Sequence, residues 1–131
     1  MSKFILNCIV STMAILLSYS APSADHLEQR YPNVISVKAR HDTGDIFDFD
    51  VTVSSPYDTS KRYADAFRVT DKGGKVYGER KLIHDHEDEQ PFMRDLYGVT
   101  IPKGIRSVIV QARDQQYGYG GATVDVELPT R

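Results

Sequence analysis

Apolar and polar side chains alternate along four separate stretches of the chain, and this alternation limits the fold more than any other feature. A period of two residues with one polar face is typical of half-buried antiparallel strands. No stretch shows a convincing period of 3.6 residues, so we expect an all-β protein. The apolar members of the four stretches are Ile35, Val37 and Ala39; Phe47, Phe49, Val51 and Val53; Val108, Val110 and Ala112; and Ala122, Val124, Val126 and Leu128.

Three weaker strands complete the pattern, over residues 63–71, 75–83 and 92–101. Leu96 and Val99 are both apolar but three residues apart, so Gly98 between them predicts a β-bulge. Turn-forming segments rich in glycine or proline separate the strands. Seven short strands with turns between them predict a single immunoglobulin-like or fibronectin-III-like sandwich, with a small barrel as the alternative.

Residues 1–24 have the three parts of a secretory signal peptide in the usual order. Lys3 supplies a positive charge, residues 5–17 form a mostly apolar run, and residues 18–24 are mostly small. The apolar run falls short of the roughly 20 residues that span a bilayer, although an uncleaved anchor is the alternative. We therefore expect a signal peptide over 1–24, a sandwich domain over 25–131, export to the periplasm, and no membrane insertion after cleavage.

The cleavage position has three candidates. A cut after Ser20 or after Ser23 leaves small residues at both positions that signal peptidase reads. A cut after Ala24 is less favourable because it places Pro22 at one of those positions.

The only cysteine, Cys8, lies inside the signal peptide. It follows Asn7 and is very near the N-terminus, which argues against a lipoprotein attachment site. The domain at 25–131 therefore has no disulfide and no thiolate ligand, and its stability must come from a core. Without Lys3, the remaining 15 basic and 18 acidic side chains give a net charge of −3, which argues against a nucleic-acid partner.

The segment from His84 to Phe92 concentrates two histidines and four carboxylates. If the fourth strand continues through it, His84 and His86 lie on one face, because side chains two apart point the same way. Two imidazoles at that spacing can bind one metal ion, with Glu87, Asp88 or Glu89 adding a carboxylate. Zn²⁺ or Cu²⁺ suits such a site, and the alternative is a solvated loop without a ligand.

Two other histidines could bind a metal. A cut after Ser23 would start the mature protein at Ala24-Asp25-His26, whose amine, amides and imidazole form a square-planar chelate for Cu²⁺ or Ni²⁺. His41 lies in a predicted loop, and nothing in the sequence favours it as a third ligand for the His84–His86 pair.

Tyr117 and Tyr119 lie in a glycine-rich segment between the last two predicted strands. Tyrosines on such a loop can form an adaptable surface for a partner, an envelope protein or a glycan. The alternative is that the rings cover the open end of the core. The chain has no nucleophile–base signature, phosphate-binding glycine loop or cofactor fingerprint, so we expect no enzymatic activity.

The segment from Tyr63 to Val69, the run His84 to Phe92, and Gly118 to Gly121 resemble a group of small exported bacterial proteins to which no activity is assigned. The Glu89-Gln90-Pro91-Phe92 run after the His-x-His pair is the most specific part of the resemblance. It implies a Gram-negative periplasmic setting. Two hypotheses follow: a non-enzymatic metal-binding sandwich, or an interaction module that binds an envelope protein or glycan through one end of the sandwich.

Overall fold

The computed structural model describes residues 29–131 of the chain. The predicted signal peptide, its cleavage positions, Cys8 and His26 lie outside the described residues. No helix long and apolar enough to cross a membrane is present between residues 29 and 131. The described part contains seven strands: β1 (Asn33–His41), β2 (Ile46–Ser54), β3 (Ala64–Thr70), β4 (Val76–Lys81), β5 (Phe92–Thr100), β6 (Ser107–Asp114) and β7 (Gly118–Glu127).

The strands form two antiparallel sheets, which confirms the predicted all-β sandwich. One sheet has the order β1-β2-β5 and the other the order β4-β3-β6-β7. In a constant-type immunoglobulin sandwich the fourth strand joins the sheet of the first, second and fifth strands. Here β4 pairs with β3 instead, and the Asp71-Lys72-Gly73-Gly74-Lys75 turn joins these two strands.

The core lies between the two sheets and follows the predicted alternation most closely in β2 and β6. Phe47, Phe49, Val51 and Val53 of β2 are fully buried. The side chains between them are only partly buried, as expected for a strand with one face on the core. From β6, the buried apolar side chains are Val108, Val110 and Ala112. Four phenylalanines, Phe47, Phe49, Phe67 and Phe92, are among the largest fully buried side chains.

Two residues predicted to face the core are exposed, because strand irregularities change the phase. The β1–β2 pairing shifts register between Val34 and Ser36, so Val34 is buried and Ile35 is 52% exposed. The β6–β7 pairing shifts between Val110 and Ala112, and Ala122 opposite this region is exposed. The later part of β7 keeps the predicted phase, with Val126 buried.

The bulge predicted at Gly98 is confirmed. The β2–β5 pairing shifts register between Phe47 and Phe49, which lie opposite Val99 and Leu96. Gly98 has a φ of +69°, and its N–H donates a hydrogen bond of 2.9 Å to an oxygen of Asp48. A residue with a side chain rarely adopts this backbone conformation, so glycine is the residue that fits.

Four segments outside the strands meet at one end of the sandwich, which we call the loop end. Alternation of strand direction places them together, because β2 and β6 end where β3, β5 and β7 begin. The opposite end carries the remaining turns. The loop end consists of residues 29–32, 55–63, 82–91 and 115–117.

Candidate functional site

The loop end brings together most of the residues that the sequence marks as site candidates. His84, His86, Glu87 and Asp88 lie in the 82–91 loop, and Tyr117 lies in the β6–β7 turn. Tyr119 is different, because it lies within β7.

Asp114, at the end of β6, is the main polar anchor of the loop end. Its fully buried carboxylate accepts hydrogen bonds from the Tyr57 hydroxyl (2.6 Å) and the Arg62 Nε (3.2 Å). It also accepts the backbone N–H groups of Gln116 and Tyr117, both at 2.9 Å. One side chain therefore fixes the 55–63 loop and the β6–β7 turn to each other.

The ionisation of Asp114 follows from these contacts. Burial alone raises the pKa of the carboxyl, but hydrogen bonds from Tyr57, the two backbone N–H groups and Arg62 outweigh it and hold the pKa below its ordinary value. Burial, together with the hydrogen bond to Asp114, raises the pKa of Tyr57 well above its ordinary value. The pair is therefore a carboxylate with a neutral phenol at neutral pH.

Arg62 connects this anchor to the surface. Its guanidinium carbon lies 4.1 Å from the centre of the Tyr57 ring and 4.9 Å from that of Tyr117. Its Nη2 donates to the carbonyl oxygens of Gln29 (2.7 Å) and Arg30 (2.8 Å), which holds the 29–32 segment in place. Cation–π contacts of this kind stabilise a ring in a defined position.

Tyr117 is held in place and remains 39% exposed. Tyr31 packs edge-on against it, with ring centres 6.3 Å apart, and the Arg30 guanidinium lies 5.6 Å from its ring centre. We call Arg30, Tyr31, Arg62 and Tyr117 the aromatic–arginine patch. Its members come from three different segments of the loop end.

Tyr119 lies on the outer surface of the four-stranded sheet. Its hydroxyl donates to a Glu79 oxygen at 2.7 Å, and the Arg68 guanidinium carbon lies 3.7 Å from its ring centre. The structure therefore does not place Tyr119 in the aromatic–arginine patch. A role of Tyr119 in partner binding stays a prediction.

The glycines after Tyr119 allow the 29–32 segment to lie against β7. The Tyr31 ring lies so close to Gly120 that a Cβ there would be 2.3 Å from a ring carbon. Gly121 has a φ of +76°, and a Cβ there would be 2.2 Å from the Pro32 carbonyl oxygen. Both close approaches position Tyr31 beside Tyr117.

We expect Gly121→Ala to reduce the free energy of unfolding more than Gly44→Ala. Both glycines have a positive φ, which costs an alanine about 1–2 kcal/mol. Gly44 has no neighbouring atom within 4 Å of the added Cβ, whereas Gly121 would also collide with Pro32. Urea unfolding of the two variants measures the difference, and equal losses would contradict the close packing of the 29–32 segment on β7.

The His84–His86 segment is a loop and not a continuation of the fourth strand. Because β4 ends at Lys81, the shared strand face expected for the two histidines does not exist. The two rings nevertheless lie side by side, with centres 5.0 Å apart and an angle of 42° between their planes. His84 is exposed, whereas His86 is buried and stacks on Phe92 at 3.8 Å.

Asp58, which the sequence did not mark as a site residue, holds the 82–91 loop in place. Its buried carboxylate accepts the N–H of Ala64 through Oδ1 and the N–H of His86 through Oδ2, both at 3.0 Å. Gln90 adds a second link, since its Nε2 donates to the His86 carbonyl and its Oε1 accepts the Ser55 N–H. The 82–91 loop is therefore tied to the 55–63 loop through buried side chains.

The imidazole ring of His86 is buried. Its Nδ1 lies 3.8 Å from the Asp58 Oδ2 and has no hydrogen-bond partner within the described residues. Burial lowers the pKa of His86, and the nearby charges of Arg94 and His84 lower it further. The ring is therefore neutral at neutral pH.

The carboxylates of the segment do not gather around the two rings. Glu87 and Asp88 are exposed, and Glu89 forms an ion pair with Arg94 (3.0 Å). Between residues 29 and 131, no group of three or more His, Asp or Glu side chains is arranged to hold a metal ion. His41 lies at the opposite end of the sandwich, where its Nε2 is 2.8 Å from the Gly44 carbonyl, so it does not join the pair.

Comparison with known proteins gives one informative relative. A protein of Halomicrobium mukohataei named "Putative lipoprotein" is 34% identical to this chain over 101 residues. The alignment covers 77% of this chain and 49% of the relative, so the chain spans about half the length of that protein. No family model matches the chain. No solved structure matches it either.

Proposed function

We propose that this chain is an exported, non-enzymatic binding domain of the cell envelope that attaches to a partner protein through the aromatic–arginine patch. The observation that carries the proposal is the exposed Tyr117 ring, held by Arg62, Arg30 and Tyr31 above the buried Asp114. Tyrosine and arginine are enriched among the residues that dominate binding energy at protein interfaces.

Rigidity of the patch supports this proposal. A side chain that is already fixed loses little conformational freedom when a partner binds, so more of the contact energy contributes to affinity. Tyr117 meets this condition through its backbone hydrogen bond to Asp114 and its contact with Arg62. Arg30 lies beside it on the exposed surface and adds a positive charge, which favours a partner with acidic groups.

Export is supported by the relative and by the N-terminal sequence. A lipoprotein is an exported protein, and the relative carries that word in its name. Residues 1–24 of this chain read as a secretory signal, whereas Cys8 after Asn7 does not fit a lipid attachment site. We propose the periplasm as the location of the domain.

Photo-crosslinking in the organism that makes the protein tests the partner proposal. A photoreactive phenylalanine analogue replaces Tyr117 in one strain and Tyr97 in a control strain. Tyr97 is 62% exposed but lies on β5, away from the loop end. We expect a discrete protein adduct from position 117 only, and we expect purified wild-type domain to compete it away while a Tyr117→Ala domain does not.

Two results would contradict the partner proposal. Identical adducts from positions 117 and 97 would indicate nonspecific proximity. Absence of a protein adduct, together with binding of the purified domain to envelope polysaccharide, would assign the patch to a glycan instead.

A second candidate function, binding of Zn²⁺ or Cu²⁺, is favoured by one observation. The exposed imidazole of His84 and the buried imidazole of His86 have ring centres 5.0 Å apart in the loop end. Both metals accept imidazole ligands readily. Titration with each metal tests this function, and a dissociation constant weaker than about 100 μM for both, a free energy near −5.5 kcal/mol, would reject it.

A further inference from the structure

We infer that a Zn²⁺ or Cu²⁺ ion binds to the Nε2 atoms of His84 and His86. We also infer that the Asp58 carboxylate, which faces Nδ1 of His86, orients the His86 ring. This inference rests on the second candidate function and assigns its atoms. It uses one residue, Asp58, that the sequence did not mark and that lies 26 positions before His84.

The spacing of the two rings suits a shared ion. A bond of about 2.0–2.1 Å from metal to nitrogen places the ion roughly 3.2 Å from the centre of each ring. If the angle between the two metal–nitrogen bonds is about 90–110°, the two ring centres lie roughly 4.5–5.3 Å apart. The separation between His84 and His86 is 5.0 Å.

In both rings Nδ1 faces an oxygen atom, which leaves Nε2 as the nitrogen for a metal. The Nδ1 of His84 lies 2.9 Å from the Asp85 carbonyl oxygen. A carbonyl only accepts, so the proton is on Nδ1 and the lone pair is on Nε2. The Nδ1 of His86 faces the Asp58 carboxylate at 3.8 Å. Neither Nε2 makes a hydrogen bond to any residue in the described range 29–131.

Asp58 occupies the position of the carboxylate that commonly supports a metal-bound histidine. Such histidines usually direct their second N–H at a carboxylate or carbonyl, which sets the tautomer and the ring orientation. The Asp58 carboxylate is itself fixed by the N–H groups of Ala64 and His86. A metal on Nε2 makes the Nδ1–H a stronger donor, and this donor would close the 3.8 Å gap to Asp58.

The two imidazoles supply half of a four-coordinate site. The exposed carboxylates of Glu87 and Asp88 lie on the same loop, immediately after His86. These carboxylates or water molecules would fill the other two positions. Since residues 29–131 offer no preformed third ligand, we expect micromolar affinity, with Cu²⁺ bound more tightly than Zn²⁺.

Calorimetric titration of the tag-free exported protein with zinc chloride and copper chloride tests the assignment. All samples carry His26→Ala, so that the Ala24-Asp25-His26 terminus cannot bind copper. We expect His84→Ala to weaken binding at least tenfold and His41→Ala to leave it within twofold. Asp58→Asn, which keeps the shape of the side chain, should weaken binding about 10- to 100-fold.

Nitrogen NMR of the histidine rings provides a readout that does not depend on variants. We expect the protonated nitrogen to be Nδ1 in both rings before metal is added, and we expect Zn²⁺ to shift both Nε2 resonances. Absence of binding would reject the candidate function and the inference together. Binding that survives His84→Ala, or that shifts a ring other than His84 and His86, would overturn the inference while leaving metal binding intact.

Discussion

Replacing Asp114 by alanine is expected to lower the free energy of unfolding by about 3–5 kcal/mol, the cost of removing one partner from a buried ion pair. The substitution deprives the Tyr57 hydroxyl and two backbone N–H groups of their acceptor and takes the paired charge away from Arg62. Chemical denaturation of the variant and the wild type measures the loss.

Asp50→Ala is the matched control, because Asp50 also pairs with an arginine, Arg40, but on the partly exposed surface of the other sheet. Solvent and salt screen such a pair, so we expect a much smaller loss than at Asp114. Similar losses for the two variants would contradict the role of Asp114 as the anchor of the loop end.

The dependence of stability on acid pH gives a second test of the contribution of Asp114 to folding. Because the folded-state pKa of its carboxyl lies below the ordinary value, the stability it contributes is complete above pH of about 4 and is lost as the pH falls through the folded-state pKa. The wild type should therefore lose more stability than Asp114→Ala between neutral pH and the acid range.

Asp58→Ala is the second substitution for which we expect a large effect. It leaves the buried N–H groups of Ala64 and His86 without acceptors, each at a cost of about 1–3 kcal/mol. We expect a total loss of about 2–5 kcal/mol and faster amide hydrogen exchange throughout residues 82–91.

Asp71→Ala is the control for Asp58, since Asp71 also accepts two hydrogen bonds, from the Lys75 N–H and the Tyr77 hydroxyl, but at an exposed turn. We expect only a small loss there, and exchange in residues 82–91 should not change. If Asp58→Ala leaves exchange in the 82–91 loop unaltered, Asp58 does not anchor that loop.

The fold was predictable where strands are regular. Phe47 to Val53 alternate without interruption, so the buried face of β2 could be read directly from the sequence. Ile35 and Ala122 were assigned to the wrong face because register shifts in the neighbouring pairings reverse the phase locally. Of these irregularities, only the bulge at Gly98 could be predicted from the sequence, because the apolar residues on either side of it are three positions apart.

The loop end was predictable only in part, because its contacts connect residues far apart in the chain. Tyr57 and Asp114 are separated by 57 positions, and Asp58 and His86 by 28. Asp58 follows a proline and a tyrosine in what reads as an ordinary turn, and Asp114 ends a strand before glutamines. Nothing in such local patterns shows that a carboxylate will be buried and bonded to another loop.

Tyr117 and Tyr119 are close in the sequence but lie on different surfaces of the domain. They are two residues apart, and the sequence predicts that they share one surface. Tyr117 lies in the turn over residues 115–117, whereas Tyr119 lies within β7 against Glu79. Gly118 between them has a φ of +84°.

The affinity of the crosslinked partner for purified variants shows whether the aromatic–arginine patch is the binding surface. We predict that Tyr117→Ala raises the dissociation constant at least tenfold, about 1.4 kcal/mol, while Tyr97→Ala leaves it within twofold. Equal affinity of the partner for the wild type and for Tyr117→Ala would show that the aromatic–arginine patch is not the binding surface.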